Sequence, residues 1–331
     1  HLEKNANQLV LAGLSLVLLA VLSASPSLLG DRVREAVAGL GSASPLWLWA
    51  AALGFASTSP CGALAWRAAI RAGGTAIARG DAMARYCVGS GMNAVAPAHL
   101  GSAVRLALFG RVTHGGCWVA GGAAAAVGIT RTIWLGALIA FGCLTGVLPW
   151  WPLLAIAALL AGAIALALLS SRFPLPGPLQ QALAALQGLA GSPRDLAVVA
   201  GWAFAGAALK IAATASVVAG LEIEHPLRAA LVVVPAVELA AVMPVTPGNV
   251  GLATAAAAFA LGSLGVVAST ALAAGLTFGA IELLAGLGVG AAGVIAMTGP
   301  YVRPGVRTSA AAATSGIVLT GFALTVLFPV A

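Results

Sequence analysis

The chain reads as an all-α polytopic membrane protein, with about seven transmembrane helices and two re-entrant, broken-helix hairpins in an inverted repeat. Three observations predict this. Of 331 residues, 61% are hydrophobic and only 8% charged; a soluble domain carries about 25% charged residues and could not cover its surface with so few. Apolar runs of about 20 residues, long enough to cross a hydrocarbon core of roughly 30 Å, recur from end to end. Finally, "NAVAPAHLGSAVR" at 93–105 is echoed by "MPVTPGNVGLATA" at 243–255, placing Pro97 on Pro247, His99 on Asn249 and Gly101 on Gly251 at a constant offset of 150.

Taken in order, the elements form one membrane domain over 1–331, because no stretch is polar enough for a separate soluble unit. An extra N-terminal helix covers 8–24, and the amphipathic "DRVREAVAGL" after it suits an interface. Repeat 1 covers 45–170. Its first span, 45–70, carries Pro60 as a possible kink and leads into Arg67, Arg71, Arg79 and Arg85, the densest basic cluster in the chain. Short basic segments of this kind stay in the cytoplasm. The hairpin 81–110 has arginines at both ends (Arg79 and Arg85, then Arg105 and Arg111), as expected of a segment that enters from the cytoplasm, turns at Pro97 and returns. The stretch 115–148 exceeds one straight crossing, so it is tilted or else broken near Gly128. "PWWP" at 149–152 turns the chain, and 153–169 brings it back to a loop bracketed by Arg172 and Arg194, where "PLQQALAALQGLA" suits a surface-lying helix.

Repeat 2 covers 196–330. A span at 196–219 leads to the acidic, outward "LEIEHP", a hairpin at 227–264, an overlong span at 266–297 ending at Arg303 and Arg307, and a last crossing at 311–330. Each unit crosses three times, an odd number, so the second must be inverted relative to the first. This puts the N-terminus in the cytoplasm and the C-terminus outside a cell (inner or plasma) membrane. Inverted repeats with breaks at corresponding positions point to a transport site near the bilayer midplane.

Other chemistries find little support. The four cysteines and four histidines lie scattered, without CxxC, HxxxH or HExxH spacing, so no metal, cofactor or disulfide framework is expected. The cysteines read as small buried hydrophobes. The net charge of +7 sits in short loops and reports orientation rather than a nucleic-acid partner. There is no GxxxxGK[ST] and no acid/base cluster at a membrane face, so neither an ATPase nor another enzyme is expected.

A Pro suits the first turn of a helix, where its missing N–H is not needed. Helices starting near Ala98 and Gly248 would therefore turn free N–H groups and positive dipole ends toward the membrane interior, where they favour an anion such as phosphate. The candidate substrate-binding set is Asn93, Pro97, His99, Gly101, Arg105, Arg131, Lys210, Pro247, Gly248, Asn249 and Thr254. Glu238 and Glu282 are candidates for a charge pair or a coupling site, since an unpaired charge in lipid is expensive. The offset places Arg131 beside Glu282, which makes a cross-repeat ion pair plausible, either structural or functional. Trp47, Trp49, Trp150, Trp151 and Trp66 read as interface anchors.

"AWRAAIRAGG", "MNAVAPAHLGSAVRLALFGR", Arg131 and "MPVTPGNVGLATAA" together resemble the transmembrane domain of lysylphosphatidylglycerol synthases, a family that also has stand-alone flippase-like members. Asn93, Pro97, Gly101 and Arg105 match its first signature; Pro247, Gly248 and Gly251 match its second. The chain departs from the family at His99 (usually Arg), Ser102 (acidic), Thr130 (Glu), Asn249 (Gly) and Thr254 (Glu). The resemblance implies movement of a lipid between leaflets through a midplane cavity between the two hairpins: a phospholipid or an isoprenoid or hopanoid lipid with an anionic or phosphate-containing headgroup, with a second copy or a separate lipid-synthesising enzyme as further partner. It leaves the lipid unnamed. A membrane subunit of a lipid-modifying enzyme and an ion-coupled small-solute transporter are the alternative readings. The family's synthases carry a soluble catalytic domain after the membrane part, and these 331 residues hold none.

Overall fold

The computed structural model describes residues 43–95, 100–146, 150–170, 187–189, 191–241 and 250–298. The expected spans at 8–24 and 311–330, and most of the surface helix near 178–190, lie outside the described residues.

The described chain is helical throughout: α1 (Pro45–Ala72), α2 (Arg79–Val95), α3 (Leu100–Gly110), α4 (Gly116–Leu144), α5 (Trp151–Ser170), α6 (Pro193–Gly220), α7 (Pro226–Ala240), α8 (Val250–Ser263) and α9 (Ala268–Thr298). Proline opens α1, α6 and α7, where its missing N–H leaves no bond unmade. Four of the described helices, α1, α4, α6 and α9, are long and apolar enough to cross a membrane. The two stretches left open between tilted and broken are each one continuous helix, of 29 residues in α4 and 31 in α9. At a 1.5 Å rise they are about 43 and 46 Å long, so they must tilt within a roughly 30 Å core. Large apolar side chains face outward around the bundle, among them Leu46, Leu53, Leu144, Leu154 and Phe259, as lipid contact requires.

The arrangement turns on α1 and α6. Ser44 N–H donates to Gly220 O (3.0 Å), Gly54 lies against Ala213, and Cys61 lies against Gly206. Numbers rise along α1 as they fall along α6, so the two helices run antiparallel. The N-terminal half of α1 (Leu48 to Phe55) packs with the C-terminal half of α6 (Ala213 to Val218) and with α7, α8 and α9. The C-terminal half of α1 (Ala63 to Ile70) packs with α2, α3 and α4 and with Val199 near the start of α6. Each of the two helices thus serves both cores, and the space between those cores opens near their crossing.

Within the stretch read as the first hairpin lie α2 and α3, and the residues of the expected turn at Pro97 are outside the described ones. Arg85 bonds Leu108 O (2.8 Å), Ser90 bonds Arg105 (3.2 Å), and Asn93 bonds Ser102, so the two helices lie antiparallel. With 11 residues, α3 is about 16 Å long, half a hydrocarbon core. Likewise α7 packs on α8 instead of continuing into it.

Small residues bring the backbones together. A methyl added at Gly91 of α2 would lie 2.6 Å from the Gly290 Cα of α9, which only two glycines at the contact permit.

Two sequence readings change. Trp66 is not an interface anchor: it is 6% exposed and packs against Phe109, with ring centroids 5.0 Å apart. The side of α1 that bears Trp66 faces α2 and α3, not lipid headgroups. Among the cysteines Cys61 and Cys143 are buried, but Cys117 is exposed.

Candidate functional site

A cavity of about 610 Å³ lies beside the crossing of α1 and α6. Its polar lining comes from seven of the nine described helices: Thr58 and Ser59 (α1), Tyr86, Ser90 and Asn93 (α2), Ser102 and Arg105 (α3), Arg131 (α4), Lys210 (α6), Glu238 (α7) and Glu282 (α9). Polar residues recur inside otherwise apolar helices because they converge on this one space.

The charges form a connected set. Lys210 Nζ donates to Glu238 Oε1 and to Glu282 Oε1, both at 2.8 Å. Arg131 Nη2 lies 3.6 Å from Glu238 Oε2. The expected Arg131–Glu282 pair is therefore replaced. The offset alignment set Arg131 beside Glu282 in sequence alone, whereas packing of α7 against α4 and α6 brings Glu238 to Arg131 and puts Lys210 between both acids.

Arg105 stands apart from that set. It is 8% exposed, and its Nη2 donates to Ser90 Oγ at 3.2 Å. Its guanidinium carbon sits 3.9 Å from the Tyr86 ring centroid and 6.0 Å from that of Trp66. Among the described residues Nε has no hydrogen-bond partner and no carboxylate pairs with the guanidinium. A ring face attracts a cation but does not neutralise it. A buried, half-satisfied guanidinium is costly without an anion.

The room for this arrangement is set by Gly62: a methyl there would lie 2.2 Å from the Tyr86 hydroxyl. Among the described residues three cations thus face two carboxylates across the cavity, leaving one positive charge over beside α2 and α3.

Around that end, the expected bare helix start is partly filled. Asn93 Oδ1 accepts the Ser102 N–H of the first turn of α3 at 3.1 Å. Gly101 is packed so tightly on α2 that an added methyl would lie 2.2 Å from Gly89 O and 2.4 Å from Asn93; it shapes the hairpin and does not line the cavity.

The candidate residues Asn93, Arg105, Arg131, Lys210, Glu238 and Glu282 all reach the cavity. Thr254 does not: its hydroxyl donates to Gly275 O at 3.2 Å, fastening α8 to α9. Pro97, His99, Pro247, Gly248 and Asn249 lie outside the described residues.

Sequence reasoning missed Tyr86, Ser90, Ser59 and Trp202, all of which line the cavity. The signal for Tyr86 was its rarity, since the chain has two tyrosines. A lone Ser or Trp in an apolar helix carries no comparable mark.

The family model described as "Lysylphosphatidylglycerol synthase TM region" matches residues 9–290. No curated protein and no solved structure matches the chain.

Proposed function

The chain belongs to the lysylphosphatidylglycerol synthase transmembrane-region family, and from that premise we propose that it carries a lipid with an anionic, phosphate-containing headgroup between membrane leaflets. The observation that carries this reading is Arg105: a buried cation stacked on Tyr86 at the wall of a polar cavity, with an unpartnered N–H and no paired acid among the described residues. A phosphate oxygen supplies the acceptor that Nε lacks. At about 610 Å³ the cavity lies in the volume range of small-molecule sites, roughly 300–1,000 Å³. It holds a headgroup but not two acyl chains, which stay in the surrounding lipid.

Two further features support the reading. Equivalent elements recur about 150 residues apart, with α3 opening at Leu100 and α8 at Val250, and the equivalent helices α1 and α6 cross antiparallel. That is the relation expected of inverted repeats whose two hairpins approach a midplane site from opposite sides. Rocking of one half against the other would expose the cavity to each leaflet in turn. A carrier role fits the site better than a catalytic one: Lys210, Arg131, Glu238 and Glu282 are engaged with one another, and Arg105 is left to meet an anion.

A second reading, an ion-coupled transporter, is favoured by one observation, the Lys210 ammonium held between two carboxylates.

Lipid extracted from purified protein and analysed by mass spectrometry tests the first reading. An anionic phosphate-bearing lipid enriched over bulk membrane with the wild type, and lost with Arg105→Gln, is the expected result. Bulk composition in both samples contradicts it.

A further inference from the structure

Beyond the central cavity, the arginine-bearing ends of α1, α2 and α6 enclose a second hollow of about 400 Å³, lined by Arg67, Arg71, Arg79 and Arg194 over the apolar walls Leu64, Met83, Val198 and Trp202. The arginines come from three helices, so the cluster is a product of the fold and not of a run in sequence. Arg71 is paired with Asp195, which Ser192 also holds through its hydroxyl (3.0 Å). Arg67 is fixed by donation from Nε to Ile77 O at 2.8 Å, a contact that orients the side chain without cancelling its charge. Arg79 and Arg194 form no salt bridge among the described residues, and Arg194 only adds to the field on Asp195 that Arg71 already pairs. Against four guanidinium groups there is one carboxylate.

Trp202 lines both this hollow and the central cavity, so the two spaces share a wall. Along each helix the apolar lining residue (Leu64, Met83, Val198) lies about one turn inward of the arginines at the helix end, the order that suits a headgroup above hydrocarbon. Basic pockets between membrane helices on the cytoplasmic side hold anionic headgroups in this way, and arginine forks match phosphate oxygens two at a time.

We infer that this arginine-rimmed hollow is a second binding site, which takes the phosphate of an anionic membrane lipid and, past Trp202, passes the headgroup to Arg105 in the central cavity. The binding half of this inference stands alone; the passing half rests on the transport reading. A phosphate group is the chemistry recognised; the free anion is the competing source, and the parallel competitor separates it from the lipid. The apolar walls Leu64, Met83 and Val198 favour the lipid, whose glycerol and first methylenes cover them.

The test uses the full purified chain and water-soluble dioctanoyl phosphatidylglycerol as probe, with inorganic phosphate as a parallel competitor. Arg79→Gln combined with Arg194→Gln should weaken probe binding about tenfold or more, each charge lost from such a pocket reducing attraction to an anionic headgroup. The doubly lysine-substituted form should keep most of it. Both side chains are exposed, so the variants should keep wild-type helicity and elution volume. Wild-type affinity in the Gln variant overturns the inference, as does displacement of the probe by equimolar inorganic phosphate.

In vesicles, the Gln variant should need a higher mole fraction of anionic lipid for half-maximal flipping at an unchanged maximum rate; an unchanged half-saturation overturns the passing step. If the wild type flips nothing while the Gln variant still loses probe affinity, the transport reading fails and the site stands.

Discussion

Replacing Lys210 with Met removes the cation that joins two helices' carboxylates, and the size of the effect follows from the geometry. Each contact is 2.8 Å long, which at an effective dielectric of about 20 corresponds to roughly 6 kcal/mol of attraction before desolvation is subtracted. The side chains are partly open to the cavity, with exposures of 17% for Lys210, 24% for Glu238 and 37% for Glu282. Screening therefore places the net loss near the low end of the range for breaking a buried pair, about 3 kcal/mol.

Glu238 keeps Arg131 at 3.6 Å, but Glu282 has no other cation paired with it among the described residues. Most of the loss is thus an orphaned Glu282. For a chain of 331 residues, 3 kcal/mol lowers Tm by roughly 4 °C. Fluorescence-monitored thermal unfolding in detergent should show that drop for Lys210→Met. Adding Glu282→Gln should recover at least half of it, and Glu238→Gln alone should do less harm than Lys210→Met. A Lys210→Met protein that unfolds within about 1 °C of wild type, or one that Glu282→Gln fails to improve, would refute the reasoning.

Two further outcomes follow from packing. Gly91→Ala puts a methyl 2.6 Å from the Gly290 backbone, so α2 must shift from α9 at a cost of about 1–3 kcal/mol, seen as a lower Tm; the same change at Gly128, which has nothing within 4 Å, should be neutral. Asn93→Ala frees the Ser102 N–H that opens α3, and as the loss of a helix cap it should lower stability by about 1 kcal/mol, measured against a Ser102→Ala control that keeps the backbone bond.

The sequence shows the spans and breaks clearly because lipid imposes length and continuity. The runs at 115–148 and 266–297 hold the continuous helices α4 and α9, while the turn expected at Pro97 lies outside the described residues. Charges within apolar runs were legible for the same reason: Arg131, Lys210, Glu238 and Glu282 had to meet something, and they meet one another.

Partners were not legible. The offset alignment compares the halves but says nothing of which helix rests between them, so it gave Arg131–Glu282 where Lys210 intervenes. Faces were hidden too, because helices apolar all round have no polar stripe to orient them. Trp66 therefore looked like an anchor beside Arg67 when it packs inward, and Tyr86 gave no hint that it carries Arg105. The family signature supplied Arg105; only the fold shows it to be without an acid.

The central claim is that the unpaired Arg105 receives a lipid phosphate as that lipid changes leaflet. It is tested most directly by leaflet-resolved flipping of a fluorescent phosphatidylglycerol in vesicles containing wild-type protein, Arg105→Gln or Arg105→Lys. A lost charge-assisted contact of about 1.5–3 kcal/mol predicts flipping slowed roughly 10- to 150-fold by Gln and partly restored by Lys, with Tm little changed. Wild-type flipping by Arg105→Gln at equal protein density would contradict the account.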